Sequence, residues 1–189
     1  MTKPREQRLA WVAAHRQFDL TVVLENVWDP HNVAAILRSC DAVGVQEIHL
    51  VYTTEKFPGI GAKAAAGVKK WLTLTRHRSI TACYRILRRR KFIIYASAVS
   101  PGTTDLYRLN FRQPTAVVFG NEHRGVSEQA RKSADGTFHI PMAGFARSLN
   151  VSVAAAVALY EAYRQRHTNR SRRLTKRSAA LLRRWKRAT

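Results

Sequence analysis

The sequence predicts an α/β domain built on a mostly parallel sheet, and three observations carry that prediction. Short apolar runs of strand length alternate with segments of helical periodicity through most of the chain. Thr115 to Phe119 forms an almost unbroken apolar run ahead of Gly120, as in a central parallel strand covered on both faces. Three times, a strand-like run gives way to a polar loop that opens a helix, the junction at which parallel sheets bind ligands. The 189 residues, 46% of them hydrophobic, suffice for one domain with short extensions.

Taken in order, Pro4 to Arg16 reads as a short helix. Pro4 suits its first turn, and Leu9, Val12 and Ala13 give it a narrow apolar stripe. Leu20 to Glu25 is a strand. Asn32 to Val43 is a helix with Val33, Ile36, Leu37, Cys40 and Val43 on one face, Asn32 as its cap and Gly44 as its stop. Glu47 to Val51 is a strand, and Trp71 to Leu74 a shorter one. Ile80 to Arg89 is a helix, followed by the strand Phe92 to Ala98 and a turn at Pro101-Gly102. Ser127 caps a short helix, Phe138 to Ile140 is a brief strand, and Ser148 opens a long helix to about Arg166. That helix is apolar nearly all round from Val151 to Leu159, which predicts burial on most sides. No internal repeat is visible.

Charge narrows the function. Lys and Arg number 33 against 12 Asp and Glu, a formal net charge of +21. Such an excess repels itself unless a polyanion relieves it, and nucleic acid is the expected partner. Residues 164–189 hold 11 of the basic residues and no acidic one, which leaves 22 against 12, or +10, on the rest. Within that tail Leu174, Ser178, Leu181, Leu182 and Trp185 fall on one side at helical spacing. Arg173, Lys176, Arg177, Arg183, Arg184, Lys186 and Arg187 lie elsewhere on the wheel. This is a basic amphipathic helix, with the body, a second chain or a membrane as candidates to cover its stripe. The polar start lacks a signal-peptide core, and no apolar run reaches the ~18 residues of a membrane span. A cytoplasmic protein without membrane contact is expected. Cys40 and Cys83 form no C-x-x-C pair and have no His at ligand spacing, so no metal is expected. Cys40 reads as a small buried hydrophobe.

Three segments could carry chemistry. The first runs from Asn32 through Arg38 to Gly44; Arg38 falls opposite the apolar stripe, where a solvated surface Arg would also sit. The second, Val117 to Gly125, places Gly120 and Gly125 around a polar turn, letting backbone approach a ligand closely. It is neither a dinucleotide fingerprint nor a P-loop, and an ordinary strand-to-helix loop would look similar. The third is Ile140-Pro141-Met142 followed by Ser148-Leu149-Asn150 at a helix start, where Ser148 and Asn150 could simply cap the helix.

The order and combination of these segments, Asn32-x-x-Ala35-x-x-Arg38-x₅-Gly44, then Gly120-x-Glu122-x-x-Gly125, then Ile140-Pro141-Met142 with Ser148-Leu149-Asn150, resembles the three motifs of SPOUT RNA 2′-O-methyltransferases. The resemblance spans about Phe18 to Tyr163. It implies a mostly parallel sheet whose C-terminal part forms a deep trefoil knot between about Thr115 and Tyr163. It implies S-adenosyl-L-methionine as cofactor, held bent by backbone groups of Gly120, Ile140 and Leu149 with a contribution from Ser97. It also implies a homodimer with the active site at the interface. The family proposal makes Arg38 the general base. A guanidinium with a pKa of ~12.5 or more is effectively always protonated, so stabilising alkoxide and phosphate charge is the better role for Arg38. Asn32, Glu122, Ser148 and Asn150 match the remaining polar positions and are expected to position Arg38 and the ribose.

The resemblance divides the chain into an N-terminal helical extension (1–18), the methyltransferase domain (19–163, knot about 115–163) and a basic C-terminal helical extension (164–189). Ribosomal-RNA members of this class carry a larger N-terminal RNA-binding domain, and very short relatives of the tRNA wobble position lack both extensions. A short N-terminal helix plus a basic C-terminal helix looks like the tRNA (guanosine-2′-O)-methyltransferases that act on guanosine 18 of the D-loop. Two alternatives stay open: methylation of ribosomal RNA or another tRNA position, and a non-catalytic RNA-binding protein on the same fold.

Overall fold

The described residues form seven strands: β1 (Leu20–Glu25), β2 (Glu47–Val51), β3 (Thr73–His77), β4 (Ile93–Ser97), β5 (Thr104–Asp105), β6 (Thr115–Phe119) and β7 (Gly136–His139). They belong to a computed structural model that describes residues 2–59, 67–167 and 174–187. All pair in parallel, in the order β3-β2-β1-β6-β4-β7-β5. Every residue of β1 and β6 is buried, as strands covered on both faces require.

Among the described residues six helices accompany the sheet: α1 (Lys3–Ala14), α2 (Pro30–Ala42), α3 (Ile80–Arg89), α4 (Glu128–Ser133), α5 (Val151–Arg166) and α6 (Lys176–Arg187). On one face α2 and α5 pack over Val22, Leu24, Ile48, Leu50, Val117 and Phe119. On the other, α3 and α4 cover Val23, Val51, Ile94, Ala96, Ala116 and Val118. The alternation of neighbouring residues between the two clusters is the two-residue period of each strand. Gly44 ends α2 with φ +82°, and a Cβ there would lie 2.6 Å from the His15 carbonyl oxygen, so both conformation and space demand glycine.

The basic tail covers its apolar stripe on the body itself. Leu181 and Trp185 of α6 pack with Leu9 and Ala13 of α1 in a third cluster that also takes in Phe18 and Trp71. The Trp185 ring meets Trp71 edge-on at 5.4 Å, and the Arg16 guanidinium lies 5.3 Å from its centroid. Lys176, Arg177, Arg183, Arg184, Lys186 and Arg187 remain exposed. Arg173 lies outside the described residues.

Several boundaries differ from the sequence expectation. Asp29, not Asn32, caps α2: its carboxylate accepts the His31 N–H at 2.8 Å, and Pro30 supplies the preset first turn. Asn150, not Ser148, caps α5 by accepting from the Ser152 N–H at 2.8 Å. The strand expected at Trp71 to Leu74 lies at Thr73–His77 after a 3₁₀ turn at Val68–Trp71; it is an edge strand, where polar Thr75, Arg76 and His77 are tolerated. The two-residue β5 has no sequence signal of its own. Helix α5 is less enclosed than its composition predicts: Ala155, Ala158, Leu159 and Ala162 are buried, while Val153 and Tyr160 remain about half exposed.

Candidate active site

Loops leaving the C-terminal ends of β4, β6 and β7 converge with the start of α5 on a cavity of about 550 Å³, within the ~300–1,000 Å³ typical of small-molecule sites. Ser97, Gly120, Glu122, Ile140, Ser148, Leu149 and Asn150 line it, beside the buried rings of Phe119 and Phe138. These seven are drawn from the second and third sequence segments and from the end of β4; the first segment contributes none of them. The cavity sits where β6 lies between β1 and β4, at the C-terminal edge of the sheet, as expected for parallel α/β folds.

Glycine at position 120 is a packing requirement. A Cβ there would fall 2.1 Å from the carbonyl carbon and oxygen of Gly125 and 2.2 Å from the Val126 nitrogen. The loop folds back this tightly because Asn121 and Gly125 exchange backbone hydrogen bonds of 3.0 and 2.8 Å. The Asn121 carboxamide oxygen accepts the N–H groups of His123 and Arg124 at 3.0 and 3.2 Å, and its nitrogen donates to the Asn26 carbonyl at 3.0 Å. Asn26, at φ 55°, turns its own side chain to accept the N–H groups of Thr53, Thr54 and Glu55 at 2.8, 3.1 and 3.3 Å. Two asparagines thus tie the loops after β1, β2 and β6 together. Buried Glu25 adds a further tie, accepting from the Ser127 N–H and hydroxyl, each at 2.7 Å.

Glu122 links the cavity to α2. One carboxylate oxygen accepts from the Asp29 N–H at 3.2 Å and the Asn32 side chain at 3.0 Å; the other accepts from the Trp28 N–H at 3.2 Å. A carboxylate at a helix N-terminus is favourably placed in the field of the unpaired N–H groups. Asn32 therefore joins the site through Glu122, without lining the cavity. Trp28 stands half exposed beside it, its ring 26° from parallel with that of His123 at 6.2 Å. Burial, reinforced by the nearby Glu122 charge, pushes the Tyr52 phenol up. It stays a neutral donor, bonding the Val27 carbonyl at 2.7 Å.

Arg38 stands apart. It is exposed on α2, makes no hydrogen bond or ion pair among the described residues, and does not line the cavity. The sequence reading missed Asn26, Asn121 and Trp28. A signal existed for Asn121, an Asx-turn former between Gly120 and Glu122; nothing local marks Asn26 or Trp28.

A parallel sheet opening a cofactor-sized cavity among the loops at its carboxyl edge is the frame of an α/β enzyme, and similarity to known proteins narrows the class to methyltransferases. The chain belongs to the SpoU rRNA methylase family, whose model matches residues 19–160. It is 48% identical over 165 residues to the tRNA (guanosine(18)-2′-O)-methyltransferase of Thermus thermophilus, an alignment covering 87% of this chain and 84% of that one. Among solved structures, the A. aeolicus TrmH/SpoU tRNA modifying enzyme matches with a TM-score of 0.88 at 34% identity, over 98% of this chain and 96% of that one. The SpoU methyltransferase AviRb from Streptomyces viridochromogenes, solved in complex with the cofactor AdoMet, matches with a TM-score of 0.70 at 30% identity, over 77% of this chain and 59% of that one.

Proposed function

We propose that the chain transfers a methyl group from S-adenosyl-L-methionine to the ribose 2′-hydroxyl of guanosine 18 in the D-loop of tRNA, acting in the cytoplasm. The observation that carries this reading is the cavity that gathers Ser97, Gly120, Ile140 and Leu149 with Glu122, Ser148 and Asn150. The likeness to a tRNA (guanosine(18)-2′-O)-methyltransferase over most of both chains selects the RNA. The residues fit the cofactor: apolar Phe119, Phe138, Met142 and Leu149 line one volume with polar loop groups, and the glycine cradle at 120 leaves no side chain in the way. Bound there, the cofactor supplies a methyl group on a sulfonium centre, open to attack by an oxygen nucleophile.

The chain's own residues must orient that oxygen and stabilise its developing charge. Arg38 is assigned to the alkoxide and the adjoining phosphate, because a permanently charged guanidinium is suited to that task and no partner among the described residues neutralises it. Glu122 and Asn32 fix the start of α2, and so the helix that carries Arg38. Ser148 and Asn150 line the cavity at the start of α5 and position the ribose. Because Arg38 lies outside the cavity of its own protomer, the site is completed at a homodimer interface. The half-exposed Val153 and Tyr160, with exposed Phe145, supply an apolar face for a two-fold contact. We also assign a trefoil knot to residues 115–163. Outside that span, the α5 side chain of Gln165 bonds the Leu109 carbonyl and the Phe111 N–H, each at 2.9 Å, and fastens the segment before β6 to the end of α5. Residues 1–18 and 164–189 are the extensions that grip the tRNA backbone.

The test is methyl transfer from labelled S-adenosylmethionine to an unmodified tRNA transcript and, in parallel, to a ribosomal RNA fragment, with the labelled nucleotide mapped. Label at the D-loop 2′-O-methylguanosine supports the reading. Label on ribosomal RNA alone overturns the substrate and keeps the chemistry, and failure to bind the cofactor overturns both.

A further inference from the structure

On the α3 side of the sheet lies a cluster that the proposed methyl transfer does not use. Register pairs His49 with Thr75 and Val51 with His77, so these four side chains share one face. Cys83 of α3 is buried above it. One ligand atom each from His49, His77 and Cys83 lies within 4.8 Å of the others. His49 Nδ1 and His77 Nε2 are 2.8 Å apart. His49 is fully buried, yet its Nε2 has no hydrogen-bond partner among the described residues. It faces a Glu47 carboxylate oxygen at 3.8 Å, and that carboxylate is held by Arg90 at 2.6 Å and the Thr75 hydroxyl at 3.1 Å.

We propose that His49, His77 and Cys83 bind one zinc ion, at a site that shares no residue with the methyl-transfer cavity. Two imidazoles and a thiolate are donors that prefer zinc or a comparable transition metal to magnesium or calcium. An ion with Zn–N near 2.0 Å and Zn–S near 2.3 Å holds its ligand atoms less than about 4 Å apart, which small side-chain rotations achieve here. Zinc bound between His49 Nδ1 and His77 Nε2 replaces the proton those atoms share and leaves the His49 proton on Nε2. That N–H then has Glu47 as its acceptor, the carboxylate–histidine–metal arrangement that orients ligands in zinc proteins. The orphaned nitrogen and the braced carboxylate thereby acquire one explanation. Burial already keeps the imidazoles neutral, lowering His49 to about 4 and His77 below its usual value. Burial and the Glu47 and Glu25 charges push the Cys83 thiol up to about 12; coordination displaces its proton to solvent. His77, on the edge strand and only partly buried, leaves an entry path and a fourth position for water. The sequence reading expected no metal because these ligands are not arranged at motif spacing; two strands and a helix bring them together.

The experiment uses the full chain, stripped with chelator and titrated with Co²⁺, then with Zn²⁺. One equivalent of cobalt is expected, with a thiolate-to-metal charge-transfer band that zinc abolishes. The band should vanish in Cys83→Ser and persist in Cys40→Ser. Glu47→Gln is expected to weaken affinity roughly tenfold, and zinc to raise the Tm of the unaltered chain but not of His77→Ala. Absence of the band, or its persistence in Cys83→Ser, overturns the site and leaves a hydrogen-bonded core pair. Should Cys83→Ser fail to fold, unchanged cobalt affinity in His77→Ala, altered on a partly exposed edge, overturns it equally.

Discussion

Glu122 and Arg38 separate two kinds of importance at the scale of single residues. Glu122 takes three donors from the start of α2. Glu122→Gln turns one acceptor into a donor facing N–H groups, so a loss of about 1–3 kcal/mol is expected, read as a lower urea midpoint together with weaker cofactor binding. Arg38 has no hydrogen-bond or ion-pair partner among the described residues, so Arg38→Ala should leave the urea midpoint unchanged. Methyl transfer should fall about 10²–10³-fold, the usual cost of removing a group that stabilises transition-state charge. A variant that melts early instead would make Arg38 structural. Trp28 presents half its ring beside the site. Trp28→Ala should raise KM for RNA by the ~1–3 kcal/mol of a lost base stack and leave kcat nearly unchanged. Gly120 and Gly125 were legible in the sequence because a glycine-bounded loop after an apolar strand is a local pattern, whereas Glu122 was marked only by the family resemblance. Asn26 and Asn121 are 95 residues apart and meet only through strand pairing, so no local pattern could join them.

At the scale of elements, the buried strands and α2, α3 and α5 were readable because each carries its own periodicity. The pieces that were misplaced lack it: edge β3, two-residue β5, and caps decided by which of several polar residues reaches an N–H. The β6–α4 loop shows how far an element can depend on one position. Gly120→Ala forces a Cβ to within 2.1 Å of backbone that is hydrogen-bonded on both sides. Overpacking of this kind costs about 1–3 kcal/mol, and the loop must open to relieve it. The expectation is a measurable loss of stability together with loss of cofactor binding by calorimetry; retained binding would show that the cradle is not the cofactor's. The α1–α6 pair was half legible. Amphipathic periodicity announced a helix at Lys176–Arg187, but three surfaces competed to cover its stripe, and only the Leu9, Ala13 and Trp71 contacts decide for the body.

For the molecule as a whole, the net charge of +21 becomes meaningful once α6 is seen to dock. Helix α6 is held by Trp185 and Leu181 with Lys176, Arg177, Arg183, Arg184, Lys186 and Arg187 exposed, so it adds to a fixed basic surface. A fixed surface makes a quantitative claim about salt. Each phosphate contact on a duplex contributes a slope of about −0.9 in log affinity against log salt. Lys176, Arg183 and Arg187 are exposed and make no hydrogen bond or ion pair among the described residues, so changing all three to Gln spares the docking of Trp185. The triple variant should keep its Tm and its turnover at saturating tRNA. Its binding slope should become shallower by roughly 1 to 3, according to how many of the three meet phosphate. An unchanged slope would mean that α6 serves only to cover α1 and Trp71, and that the RNA is gripped elsewhere. Because the stripe and the basic face belong to one helix, only a variant that alters the charges and keeps the packing can tell these roles apart.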